Sequence, residues 1–106
     1  MMDGVLHMLF KWFDATEARD FGLSLAEFFA KRIPAASIPA SGKRQLEKAF
    51  EVIAKLHTQI RQFRIDHKMN MYQKAKLANA FQWKLIDLGY DKAIVQELAK
   101  ELLRGL

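Results

Sequence analysis

Leu46, Ala49, Phe50, Ile53, Leu56, His57, Ile60 and Phe63 recur at the spacing of a single helical face over several turns, the strongest periodic pattern in the chain. Ser41 can cap this segment, and from about Gly42 to His67 it predicts a rod roughly 38 Å long. Upstream, Ala18, Phe21, Leu25, Phe28 and Phe29 line another face down to Ile33, where Pro34 stops the helix because it lacks an N–H and disfavours helical backbone before it. Asp14 with Glu17 three residues on predicts an aspartate capping box for that earlier helix. Gly22 lies on its apolar face and offers a place for another helix to approach closely. The stretch "PAASIPASG" reads as a loop joining two helices.

After His67, "HKMNMYQ" supplies Asn70 as a cap with Gln73 at the third helical position, so a new helix is expected almost at once. A link this short predicts that the second and third helices fold back as an antiparallel hairpin. The third helix is expected to end in "LGYD", with Gly89 in the left-handed position and Tyr90 folded over Leu85. Asp91 then caps a fourth helix whose apolar residues are Ile94, Val95, Leu98, Ala99, Leu102 and Leu103. The N-terminal "VLHMLFKWF" predicts a short additional helix. No stretch alternates as a strand would, and no repeat is visible. The sequence thus predicts an all-α fold: a compact bundle of four main helices with a short N-terminal helical segment and a central antiparallel hairpin. With 106 residues, 51% of them hydrophobic, the chain is expected to form one helical domain over 1–106.

Locally, "LIDLGYDKAIVQELAKEL" resembles the helix, Gly-aromatic turn, helix signature of ubiquitin-associated domains and of RecX-type regulatory repeats, through Gly89, Tyr90, Asp91 and the apolar spacing after them. Any tight helix-to-helix turn selects the same residues, so the resemblance implies the turn and carries no function.

The third helix holds a second stripe. Leu77, Ala78, Phe81 and Leu85 make a core-facing side, while Tyr72, Lys76, Asn79, Trp83 and Ile86 step along another. Either this stripe faces another packed element, giving the fourth helix and the N-terminal aromatics something to cover, or it is an exposed anchor surface with aromatic hot spots and polar guides. Asn79 sharpens the choice, because a buried amide needs specific partners. On the second option Tyr72, Lys76, Asn79 and Trp83 are the partner-binding residues.

Catalytic chemistry is hard to find. There is no cysteine, hence no disulfide, thiolate nucleophile or cysteine-based zinc site. His7, His57 and His67 lack the three- or four-residue spacing of a helical metal pair. His57, mid-way along an apolar face, reads as a neutral, hydrogen-bonded core histidine, and His67 as helix-end polarity. Glu47 with Glu51 and Glu97 with Glu101 place carboxylates one turn apart without the Glu-x-x-His partner of a di-metal centre. No phosphate loop or nucleophile elbow is present. Neither an enzyme, a metal nor a cofactor is expected.

Charge adds an alternative. Ten of the chain's 17 Lys and Arg, against three of its 12 acids, lie between Lys43 and Lys84, a local balance of +7 in a chain of net +5. Lys43, Arg44, Lys48, Arg61, Arg64, Lys68, Lys74 and Lys76 are therefore candidates for contacting an anion or nucleic-acid phosphates, backbone-driven and salt-dependent. Arg64 stands out because it continues the line of Phe50, Ile53, His57 and Ile60; the expectation is that the helix has run past the core there, or that Arg64 snorkels or meets a carboxylate.

At the N-terminus Val5, Leu6, Leu9, Phe10, Trp12 and Phe13 need a docking site: the bundle itself first, then a second copy, with peripheral membrane contact through residues 5–13 the weakest option beside Asp3 and a single lysine. The segment lacks a basic leader and a small-residue cleavage site and is not read as a signal peptide. A reducing, cytoplasmic setting fits a cysteine-free chain. The functional expectation is a small interaction or regulatory module that binds a protein partner or itself through the aromatic and basic surface of the third helix.

Overall fold

The computed structural model describes residues 11–38 and 43–106, with the backbone alone for residue 43. Val5, Leu6, Leu9, Phe10, His7 and the Ser41 cap lie outside the described residues, as does the Lys43 side chain; residues 11–13 are helical. Four long helices follow, α1 (Thr16–Arg32), α2 (Lys43–Asp66), α3 (Met71–Asp87) and α4 (Lys92–Leu103), with a single 3-10 turn at Ala35–Ser37 and no strand among the described residues. The fold is an all-α bundle. No helix among the described residues is long and apolar enough to cross a membrane.

Most of the caps are where the sequence puts them. Asn70 Oδ1 accepts from the Gln73 N–H and Gln73 Oε1 from the Asn70 N–H, both at 2.9 Å, a complete capping box for α3. At the other end Gly89 has φ 96°, the Tyr90 N–H donates to the Leu85 carbonyl at 3.1 Å and the Gly89 N–H to the Ile86 carbonyl at 3.0 Å. These two bonds are a Schellman motif. Asp91 Oδ1 then accepts from the N–H groups of Ala93 and Ile94 at 2.9 and 3.3 Å, opening α4.

The box expected at Asp14 and Glu17 does not form. Ala15 occupies the cap position of α1, so Glu17 stands one residue short of the place from which it would reach back. Asp14 Oδ1 still accepts the Thr16 N–H at 3.1 Å, and that bond lowers its carboxyl below the usual carboxylate range. Glu17 instead meets His67, on the α2–α3 link, with Oε2 2.9 Å from the ring Nε2.

Gly22 permits the close pairing of α1 with α3. A Cβ built there would lie 2.3 Å from the Leu77 carbonyl oxygen and 3.2 Å from Ala80 Cβ, so only glycine lets α1 and α3 approach this closely. Leu25 and Phe29 of α1 are buried against the core side of α3, formed by Leu77, Phe81 and Leu85, and the Phe29 and Phe81 rings meet edge-on with centroids 6.4 Å apart. The expected central hairpin is correspondingly loose. Direct contact between α2 and α3 is slight; α2 rests mainly on α4, and α3 mainly on α1. A short link brings two helix ends together, but the residues along each helix choose its neighbour.

The α2 core positions are Ala49, Val52, Ile53, Leu56 and Ile60, with Phe50, His57 and Phe63 half-buried beside them. His57 Nε2 donates to the Glu101 carbonyl of α4 at 2.7 Å, and Gly105 leaves room for its ring: a Cβ there would be 2.5 Å from Cδ2. It is a hydrogen-bonded histidine joining two helices, in keeping with the sequence expectation. Tyr90, 6% exposed, passes from the α3–α4 turn into the core beside Phe29, and its hydroxyl donates to the Ile33 carbonyl at the end of α1. Burial pushes its phenol up to about 12.

Candidate interaction surface

At 3.6 residues per turn, Tyr72, Lys76, Asn79 and Trp83 fall within about 60° of one another on α3, over a length of roughly 16 Å. This arc points away from the face holding Leu77, Phe81 and Leu85. The second stripe is therefore neither wholly covered nor wholly bare. Trp12 and Phe13 close over Tyr72 at one end, with ring centroids 5.8 and 5.2 Å away, and Ile86 packs against the core at the other. Asn79 and Trp83 between them stand in solvent, Trp83 with 61% of its surface exposed. Lys76 reaches back so that its Nζ lies 5.5 Å from the centre of the Tyr72 ring, a cation–π distance.

The aromatic end is pinned by the residues that cap α3. While the side-chain oxygens of Asn70 and Gln73 serve the capping box, their amide nitrogens donate to the carbonyls of Trp12 and Asp14, each at 2.9 Å. One local motif thus starts a helix and holds the chain that enters α1. Behind it, Phe21, Phe63 and His67 stack in parallel, with centroids 4.1 and 4.3 Å apart, and the Glu17 contact closes the stack. His67 does more than supply helix-end polarity; it straps α1 to the α2–α3 link.

Beside the stripe runs a groove of about 400 Å³ between α3 and the end of α4, with Ala75 and Ala78 as its floor and Met71, Leu103 and Leu106 among its walls. Met71 is 82% exposed and Leu103, expected in the α4 core stripe, is 44% exposed. Asn79 belongs to both the groove and the stripe. Sequence pattern puts Leu103 in the core stripe and assigns Met71 and Leu106 no role; the signal for Leu103 at the surface is that the apolar arc of α4 is broader than a single neighbouring helix can cover.

The basic residues do not gather on one face. Lys48 and Arg64 are about 160° apart around α2 and roughly 24 Å apart along it. Arg44, Lys48, Arg61, Arg64 and Lys68 are exposed, Arg61 donating to Thr58 Oγ1 at 3.3 Å. Arg64 stands where α2 has run past the core. Lys76 covers Tyr72 and belongs with the aromatic surface, whereas Lys74, about 160° away around α3, lines the groove. Of the carboxylate pairs, Glu97 meets Lys100 and Glu101 meets Arg104, both at 3.2 Å, and Glu47 and Glu51 are exposed. Among the described residues no group of three or more metal-ligating side chains converges.

Neither a protein family, nor a curated protein, nor a solved structure matches this chain.

Proposed function

We propose that this chain is a small non-catalytic interaction module that binds a protein partner, or a second copy of itself, through the outer face of α3. The observation that carries the reading is Trp83: an indole left 61% exposed, in line with Tyr72 and Asn79, on a helix capped at both ends. A large, stiff aromatic on a rigid support loses little conformational freedom on binding and buries much area, which is why such residues dominate the energetics of interfaces. Asn79 beside it supplies a polar guide, and the adjoining groove a place for a partner's side chain. A cytoplasmic setting suits a chain without cysteine.

The test compares the tagged chain with Trp83→Ala and Tyr72→Ala in pull-downs from extracts of the source cells and in sedimentation for self-association. Thermal melts by circular dichroism run beside both. Trp83→Ala is expected to abolish the interaction while leaving stability within about 0.5 kcal/mol, as for other exposed positions. Retention of the same partner by both variants, or unfolding of Trp83→Ala, overturns the reading.

A further inference from the structure

We infer that Trp12 and Phe13 form an autoinhibitory strap: closed over Tyr72 they withhold one end of the α3 face, and swinging away about Asp14 and Ala15 they open it. The inference rests on the interaction role of α3 proposed above and concerns how that face is regulated.

The strap is joined to the bundle in a way that makes it easy to lift. Residues 11–13 are helical, but two non-helical residues, Asp14 and Ala15, set them off from α1, so they can rotate without unwinding Thr16–Arg32. None of residues 11–14 is buried; Trp12 keeps 45% of its surface in solvent and Phe13 53%. Opening therefore wets little besides the ring of Tyr72 beneath them.

Two side-chain bonds act as the latch. The amide nitrogens of Asn70 and Gln73 donate to the Trp12 and Asp14 carbonyls, each at 2.9 Å and each at an exposed position, where water replaces a lost partner. The start of α3 does not need them, because its first-turn N–H groups are served by the oxygens of the same two side chains. The remaining hold is aromatic: Phe13 meets Tyr72 edge-on and Trp12 lies over it. An aromatic side chain from a partner makes the same contacts, so partner and strap compete for one ring.

Opening lengthens the face. With the strap closed, Trp83 is the free aromatic of the stripe. With it open, Tyr72 joins from eleven residues back on the same arc, roughly 16 Å away along α3. A partner that engages both rings binds only the open fraction, and its apparent affinity falls by that fraction.

The capping box offers a clean way to cut the latch. Asn70→Asp with Gln73→Glu keeps both capping oxygens and adds negative charge where a helix N-terminus favours it, but removes both amides that hold the strap. The probe is ring nitration by tetranitromethane on the full chain, read by peptide mass spectrometry, with buried Tyr90 as the internal control for unfolding. Trp12→Ala with Phe13→Ala sets the rate of an uncovered Tyr72. For two hydrogen bonds of ordinary net strength the double latch variant should nitrate Tyr72 about tenfold faster than the parent chain, or reach that limit, while Tyr90 stays unmodified. Tetranitromethane attacks the phenolate, which nearby negative charge disfavours, so the two new carboxylates by themselves would slow the reaction. The latch variant should also retain more of the protein captured in the Trp83-dependent pull-down.

Equal nitration of Tyr72 in the parent, latch and uncovered chains overturns the inference, as does retention by the latch variant of no more of that protein than the parent chain holds. If Tyr90 is nitrated in the latch variant, the uncovered chain, whose capping box is untouched, decides by the same two readings. Should the pull-down depend on Trp83 while cutting the latch changes nothing, the strap is plain packing and the interaction face stands. If Trp83→Ala loses no partner, both fall.

Discussion

Replacing Gly22 by alanine sets two effects of known size against each other. Alanine in a helix interior is favoured over glycine by about 1 kcal/mol, so propensity alone predicts a stabler protein. Against this, the new methyl would lie 2.3 Å from the Leu77 carbonyl oxygen and 3.2 Å from Ala80 Cβ. A carbonyl oxygen fixed in the α3 ladder cannot rotate aside as a side chain would, so α1 and α3 must separate by about 1 Å to restore an ordinary contact. A gap of that size forfeits a quarter to a half of the dispersion energy of each atom pair it opens. It opens the seam that holds Leu25, Phe29, Leu77, Phe81 and Leu85, each at 0% exposure. Overpacking of this kind costs about 1–3 kcal/mol, and a backbone clash belongs at or above the upper end.

The expected net loss is about 2 kcal/mol or more, a melting temperature lower by at least about 8–16 °C for a domain of this size. Ala54→Gly, at an exposed position inside α2, measures the propensity contribution by itself and should cost about 1 kcal/mol. Paired thermal and urea melts give both numbers. If Gly22→Ala raises stability by as much as Ala54→Gly lowers it, the close approach of α1 and α3 does not exist.

Gly89→Ala should destabilise by about 1 kcal/mol and Gly89→Asn by less, because φ 96° suits glycine and asparagine visits that region more readily than alanine; equal melts for all three would refute the Schellman turn. Tyr90 has a folded-state phenol raised to about 12 by burial, above its ordinary value of 10.0, so the neutral form is favoured on folding; the stability it contributes is intact below pH 10 and lost as pH rises through 12. Tyr90→Phe should remove that pH dependence in alkaline urea titrations and, through the lost bond to Ile33, cost about 1 kcal/mol at neutral pH. Glu17→Gln should cost less than about 1 kcal/mol, as an exposed pair, and a larger loss in chemical denaturation would show that the stack behind it depends on the contact. Deleting residues 1–12 should lower the melting temperature in lipid-free buffer, since Trp12 leaves Tyr72; unchanged stability and mass with loss of liposome binding alone would assign the segment to membranes.

What was legible in the sequence is what a few neighbouring residues decide. Asn70 with Gln73, the Gly89 turn and the Asp91 cap each close their bonds within five residues, so composition and spacing suffice. Asp14 and Glu17 have the same local pattern, but His67, fifty residues on, takes the Glu17 carboxylate, and Ala15 takes the cap. Helix pairing is a distant matter too. The four-residue link pointed to α2 with α3, whereas Gly22 permits α1 to pack closely on α3. The stripe of α3 was visible as a stripe, yet its fate depended on Trp12 and Phe13 reaching Tyr72 and on nothing reaching Trp83 among the described residues. The groove is composite: Met71 and Leu103 belong to different helices, and no periodicity along either one reveals that they share a rim.

The bond from His57 to the Glu101 carbonyl has a consequence for how the chain is made. Because α2 rests chiefly on α4, the apolar face of a helix completed at Asp66 gains its principal cover only when residues up to Leu103 have been polymerised. At about 5–20 residues per second that is a delay of roughly 2–7 s. Throughout it, Ile53, Leu56 and Ile60 lie on a nascent helix without their final neighbour. The apolar face of α2 is thus among the last parts of the bundle to reach its final packing, after the earlier helices have all been made.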